Sequence, residues 1–79
     1  MLPAYVLVQT KVGMAANVAG ELARIAGVVS AEVTAGPYDL IVRAESADLD
    51  ELGRLVVAKI QGAKGVTRTL TCPVVVLAS

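Results

Sequence analysis

The 79-residue sequence predicts an α+β fold: one antiparallel sheet and two helices in the order βαββαβ. Three observations carry this expectation. Two helical patterns are separated by strand patterns, a Gly-Val step recurs half a chain later, and the hydrophobic content exceeds what so short a chain hides by itself.

Tyr5-Val6-Leu7-Val8-Gln9-Thr10 reads as the first strand, with apolar residues on both alternating faces in its first half. A strand of that kind belongs to a sheet covered on both sides. Met14, Val18, Leu22 and Ile25 then recur at helical spacing, with Asn17, Glu21 and Arg24 opposite, and Gly27 is placed to stop the helix in a left-handed conformation. Val28 to Ala35 alternates as a half-buried strand, with Val29, Ala31, Val33 and Ala35 on one face. Gly36-Pro37-Tyr38-Asp39 is a turn, and Leu40 to Ala44 runs back as its hairpin partner.

Asp48 reads as the N-cap of the second helix, with Glu51 three residues on in a variant of the capping box. Leu49, Leu52, Val56 and Ile60 form its apolar stripe, and Lys59 suits the negative end of the helix dipole. Val66 to Cys72 is the last core strand, ended by Pro73. Val74 to Leu77 is a short apolar segment, read either as an unstructured end or as a strand added against a neighbouring subunit. The helix–Gly27-Val28–strand pattern repeats as helix–Gly65-Val66–strand, so each half is one β-α-β unit. Two such units in one sheet make the ferredoxin-like split βαβ arrangement. Right-handed crossovers place both helices on one face and leave the other bare in a monomer.

Composition bounds the function. Hydrophobic residues make up 56% of the chain. A domain this short buries only about 60% of its extended surface, so the surplus is expected at an interface with another copy. Seven basic and seven acidic residues cancel, and the basic ones are dispersed one by one. A sequence-independent grip on nucleic acid needs clustered cations, so direct nucleic-acid binding is not expected. The chain has no histidine and one cysteine, Cys72. That removes the commonest general base and metal ligand, leaves no internal disulfide, and makes neither a cofactor nor a metal site expected. No basic start precedes the first strand and no apolar run reaches the ~20 residues of a membrane span, so the expected compartment is the cytoplasm, without a membrane partner.

Two features carry polar chemistry. In the Gly36–Asp39 turn, Tyr38 and Asp39 place a phenol and a carboxylate beside backbone N–H groups, a combination suited to a zwitterion. The plain alternative is a hairpin turn with Asp39 bonded to backbone. Thr67, Thr69 and Thr71 line one face of the last strand, where hydroxyls can meet polar ligand atoms, although threonine is also simply a good strand residue. Arg68 can clamp a carboxylate or lie on the surface, and Cys72 is most simply a small core residue.

The G-x-Y-D turn, the Gly65-Val66-x-Arg68-Thr69-x-Thr71 run and the helix pattern, in this order, resemble the effector domain of the Lrp/AsnC regulators. This is the RAM (regulation of amino-acid metabolism) module, and the resemblance runs from about Ala4 to Val76. It implies one ligand-binding domain over residues 1–79, dimers formed through the open sheet face, rings of dimers, and amino-acid effectors bound between dimers. Gly36, Tyr38, Asp39, Thr69 and Thr71 would lie at or near that effector site. Two departures stand out. Full-length members carry an N-terminal helix-turn-helix, and nothing before Tyr5 encodes one, so a stand-alone version is expected that acts on full-length regulators or metabolism indirectly. The family often has an acidic residue between the Gly and Tyr of the turn, where this chain has Pro37, with one charge and one N–H fewer.

Other readings share the topology. Dimeric α/β-barrel enzymes need acids and bases that are scarce here, and copper chaperones need a cysteine pair. Amino-acid-binding ACT domains are the nearest competitor, and a ligand-free oligomerisation partner is the third class. Fold alone does not separate them. From the dispersed charge, the purified chain is expected not to shift a labelled DNA duplex at physiological salt in a gel assay. A retained shift that weakens steeply with salt would contradict this, because the slope counts neutralised phosphates.

Overall fold

A computed structural model describes residues 1–77. Strand β1 (Leu2–Thr10) leads to helix α1 (Ala15–Leu22), then to β2 (Val28–Val33) and β3 (Leu40–Ser46). Helix α2 (Leu49–Arg54) continues without a break as a π-helical segment, Leu55–Ile60, before β4 (Val66–Pro73). The sheet order is β2-β3-β1-β4, every pair antiparallel, which is the expected α+β sandwich.

Register decides which side chains form the core. Val6 lies between Val42 and Thr71, and Val8 between Leu40 and Thr69. Successive strand residues point to opposite faces. Ala4, Val6, Val8, Leu40, Val42 and Ala44 therefore share one face, and all six are buried against Val18 and Leu22 of α1 and Leu52, Val56 and Ile60 of the second helix. Tyr5, Leu7, Ile41, Arg43 and Leu70 fall on the opposite face. Both helices lie on one side of the sheet, and no element of the described chain covers the other.

The second helix starts as the sequence indicates. Asp48 Oδ1 accepts a 2.8 Å hydrogen bond from the Glu51 N–H, satisfying a donor that the first helical turn leaves open. Buried Ser46 donates its hydroxyl proton to the Asp48 carbonyl at 3.2 Å, fixing the step from β3 into the helix. The π winding is not readable from the stripe Leu52, Val56, Ile60, because those positions share a face in either winding. It shows in the Gln61 N–H, which donates to the Val56 carbonyl five residues back at 2.8 Å.

Three further details differ from the sequence reading. β2 stops at Val33 rather than Ala35, because the Thr34 N–H and hydroxyl are drawn into the turn by the carbonyls of Asp39 and Tyr38. Pairing of β2 with β3 shifts register between Val28 and Ser30, so Val29 is thrown out to solvent instead of sharing a face with Ala31. Beyond Pro73 the Val74 N–H reaches the Pro3 carbonyl at 2.9 Å, but Val75 to Leu77 add no strand.

The internal repeat appears as matched backbone geometry. Gly27 and Gly65 have φ of 98° and 97°, a region L-residues avoid, and each carbonyl accepts a bond from a residue distant in sequence: Glu45 N–H of β3 at Gly27 and Lys11 N–H at Gly65, both 2.8 Å. A Cβ at Gly65 would also sit 2.8 Å from Met14 Cε and 3.0 Å from Val18 Cγ2, and Val18 has no room to retreat. Gly65→Ala is therefore expected to cost about 1–3 kcal/mol of stability, read by urea denaturation. A variant as stable as wild type would show that the backbone relaxes there.

Candidate functional site

The Gly36–Asp39 turn is held by five hydrogen bonds, three to the end of β1 and two to Thr34 at the end of β2. The Asp39 N–H donates to the Val8 carbonyl at 2.9 Å, and the Asp39 carbonyl accepts from the Thr34 N–H at 2.8 Å. Gln9 Nε2 donates to the Pro37 carbonyl at 2.9 Å, and the Thr34 hydroxyl to the Tyr38 carbonyl at 2.8 Å. The fifth is the informative one. β1–β4 pairing shifts register between Gln9 and Thr10, and there the Thr10 N–H turns to Asp39 Oδ2 at 2.8 Å. The carboxylate thus holds a backbone donor at a ladder irregularity, a structural task like the plain reading, but on a neighbouring strand.

The threonines of β4 divide. Thr67 is the extra residue at the register shift and donates its hydroxyl proton to the Gln9 carbonyl at 3.2 Å, so it does not continue the row. Thr69 and Thr71 oppose Val8 and Val6 and therefore look to the helix side. Thr69 Oγ1 accepts from Gln61 Nε2 at 2.9 Å, at the exit of the π-helical segment. Thr71 borders a groove of ≈ 390 Å³ between the second helix and β4. Leu40 and Thr69 are both partners of Val8, so the turn and the threonines sit at the same end of the sheet, on either side of β1. Within one chain the Gly36–Asp39 turn therefore lies on the β3 side of β1, and Thr69 and Thr71 on its β4 side.

The open sheet face has its own order. Leu7 lies between Ile41 and Leu70 in the register, forming an apolar centre. Beside it Arg43 donates from Nη1 to the Tyr5 hydroxyl at 2.7 Å, with its guanidinium carbon 5.4 Å from the ring centre. This pair joins a charge to an aromatic face across β1 and β3. Sequence analysis missed it, because the Tyr5↔Arg43 pairing depends on the β1–β3 register. It also missed Gln61 as the partner of Thr69, for which the sequence carries no signal. Cys72 is exposed, on the same face as Tyr5, not a core residue. Among the described residues no three His, Cys, Asp or Glu side chains come together as a metal site, and no helix is long and apolar enough to cross a membrane.

Fold and face together define a class: a split βαβ domain that presents an uncovered, apolar-centred sheet. Within that class the comparisons are specific. The Lrp/AsnC ligand binding domain profile matches residues 3–76, and the chain belongs to that family. An uncharacterized HTH-type transcriptional regulator of Pyrococcus horikoshii is 37% identical over 55 residues, covering 70% of this chain and 37% of the relative. The chain thus spans little more than a third of the length of the curated regulators it matches. Among solved structures, a hypothetical protein from Pyrococcus horikoshii superposes with a TM-score of 0.88 at 30% identity, over 98% of this chain and 93% of its own. A protein from Thermus thermophilus gives 0.92 at 26% identity, covering 100% and 99%. A Neisseria meningitidis transcriptional regulator, solved as a complex with L-Met, shares the fold with a TM-score of 0.83 at 20% identity, over 94% of this chain and 49% of its own.

The Thr10 contact predicts a stability effect at Asp39. Asp39→Ala should cost about 1–2 kcal/mol, since it strips a half-buried N–H of a charged acceptor, whereas Asp39→Asn keeps an acceptor oxygen and should cost less. Equal stability of wild type and Asp39→Ala in chemical denaturation would contradict the assigned role.

Proposed function

We propose that this chain is a regulatory domain that self-associates through its open sheet face and binds a small effector, an amino acid. Through that switch it modulates transcription or metabolism indirectly, in the cytoplasm, as a single domain over residues 1–79 that also joins full-length Lrp/AsnC regulators. The observation that carries the reading is the match of residues 3–76 to a ligand-binding domain family. The L-Met complex of a structural neighbour supports the ligand class. Within the site, Asp39 takes the ligand ammonium, the Gly36–Tyr38 backbone faces its carboxylate, and Thr69 and Thr71 contribute hydroxyls. Because one chain holds these groups apart, the reading requires a second copy to complete the site.

A different observation favours a scaffold without ligand. Asp39 already accepts from Thr10, and Thr69 from Gln61, so both polar groups have partners in the unliganded chain. Calorimetry separates the two readings. An amino acid should bind at or below millimolar concentration, and Asp39→Asn should bind at least about tenfold more weakly, as expected when a partly exposed charge pair is broken. Thr69→Val and Thr71→Val should each cost about 1 kcal/mol of binding. No binding by any amino acid, or undiminished binding by Asp39→Asn, would leave the scaffold.

Self-association has a separate test. Light scattering at micromolar concentration should give at least twice the 8.1 kDa of one chain. Leu7→Asp, at the centre of the open face, should reduce that mass while keeping the helical circular dichroism. A wild-type mass near one chain would refute the interface.

A further inference from the structure

The groove between the second helix and β4 is apolar and unfilled. Leu52 and Val56 lie at its base, Leu49, Gly53 and Val57 form the helix wall, and Thr71 and Pro73 border it on β4. Leu49 and Val57 are 64% and 65% exposed. Between them Gly53 leaves a notch, since a Cβ built there meets nothing within 4 Å. A glycine inside a helix costs roughly 0.5–1 kcal/mol relative to alanine, and nothing among the described residues uses the space it leaves. β4 is an edge strand, so its outer N–H and C=O groups are also unpaired by the sheet.

The same end of β4 emits the most exposed apolar segment of the chain. Val75, Val76 and Leu77 are 74%, 88% and 84% exposed. The segment does not fit its own groove. The Val74 N–H bond to the Pro3 carbonyl carries it onward past the start of β1, in the direction away from Thr71. Doubling back would require a tight turn within Val75–Leu77, which has no Gly, Asn, Asp or Pro to make one and whose β-branched valines favour extended backbone.

We propose that the Val74–Leu77 segment of a second copy of this chain docks in this groove, extended along the outer edge of β4. Main-chain hydrogen bonds lengthen the sheet by one strand, and alternate side chains of the segment enter over Gly53 between Leu49 and Val57. Two-fold symmetry makes the exchange reciprocal, each copy giving one segment and receiving one. The side chains that enter cover the exposed flanks of Leu49 and Val57, and reciprocity doubles the apolar surface removed from water. This contact lies on the helix side and is independent of the open sheet face.

The test uses the full chain with Cys72→Ser as background. Val57→Cys and Val76→Cys chains are mixed and oxidised, and the products are separated without reductant. The expected result is a covalent dimer of one Val57→Cys and one Val76→Cys chain, in excess over either homodimer. In parallel, light scattering on Gly53→Leu, which fills the notch, and on Val75→Ser/Val76→Ser/Leu77→Ser should show a mass about half that of wild type for both. Circular dichroism confirms that each variant is folded, and the serine variant alters no buried residue. Absence of the mixed disulfide, or a serine variant with the wild-type mass, overturns the proposal.

Discussion

The structure depends on one imbalance: a four-stranded sheet has two faces, and the chain supplies helices for only one. The covered face is filled to completion, with Val6, Val8, Leu40 and Val42 fully buried beneath the two helices. Across the same strands, Leu7, Ile41 and Leu70 sit on a face that no element of the described chain covers. Burial of apolar surface is the main favourable contribution to folding at roughly 25 cal/mol per Å², and a domain this small has little margin to leave such a face in water. The proposed pairing of chains follows from that imbalance.

The Asp39 turn shows how one residue can fix a loop from both its backbone and its side chain. Its backbone closes the β2–β3 hairpin and its Oδ2 atom tethers Thr10, so the loop is held against β1. A loop held this way places its remaining polar groups at low entropic cost on binding. Pro37 adds stiffness by fixing its own φ.

Much of the fold was legible because its signals are local. Gly27 and Gly65 marked the two helix-to-strand turns, and both have the backbone that only glycine adopts freely. Asp48 marked the second helix, and its carboxylate caps it. What escaped was set by pairing between strands. The bulge at Val29 and the register shift at Thr67 depend on how two strands meet, and neither strand encodes the slip alone. The π winding after Arg54 hid behind a stripe common to both helices. At the site, the turn was visible from its residues, but its role as acceptor for Thr10 required the β1–β4 register. Thr69 and Thr71 were visible as a row, and their separation from Asp39 was not, because only the strand order reveals it.

If another copy completes the native state of this chain, folding and association are linked. A protein stabilised by a partner melts at a temperature that depends on concentration. The direct measurement is the thermal midpoint over about a hundredfold range of protein concentration at neutral pH. The midpoint should rise steadily with concentration, and Leu7→Asp should flatten the dependence while lowering the midpoint. A wild-type midpoint that stays constant across the range, at a scattering mass of one chain, would contradict it.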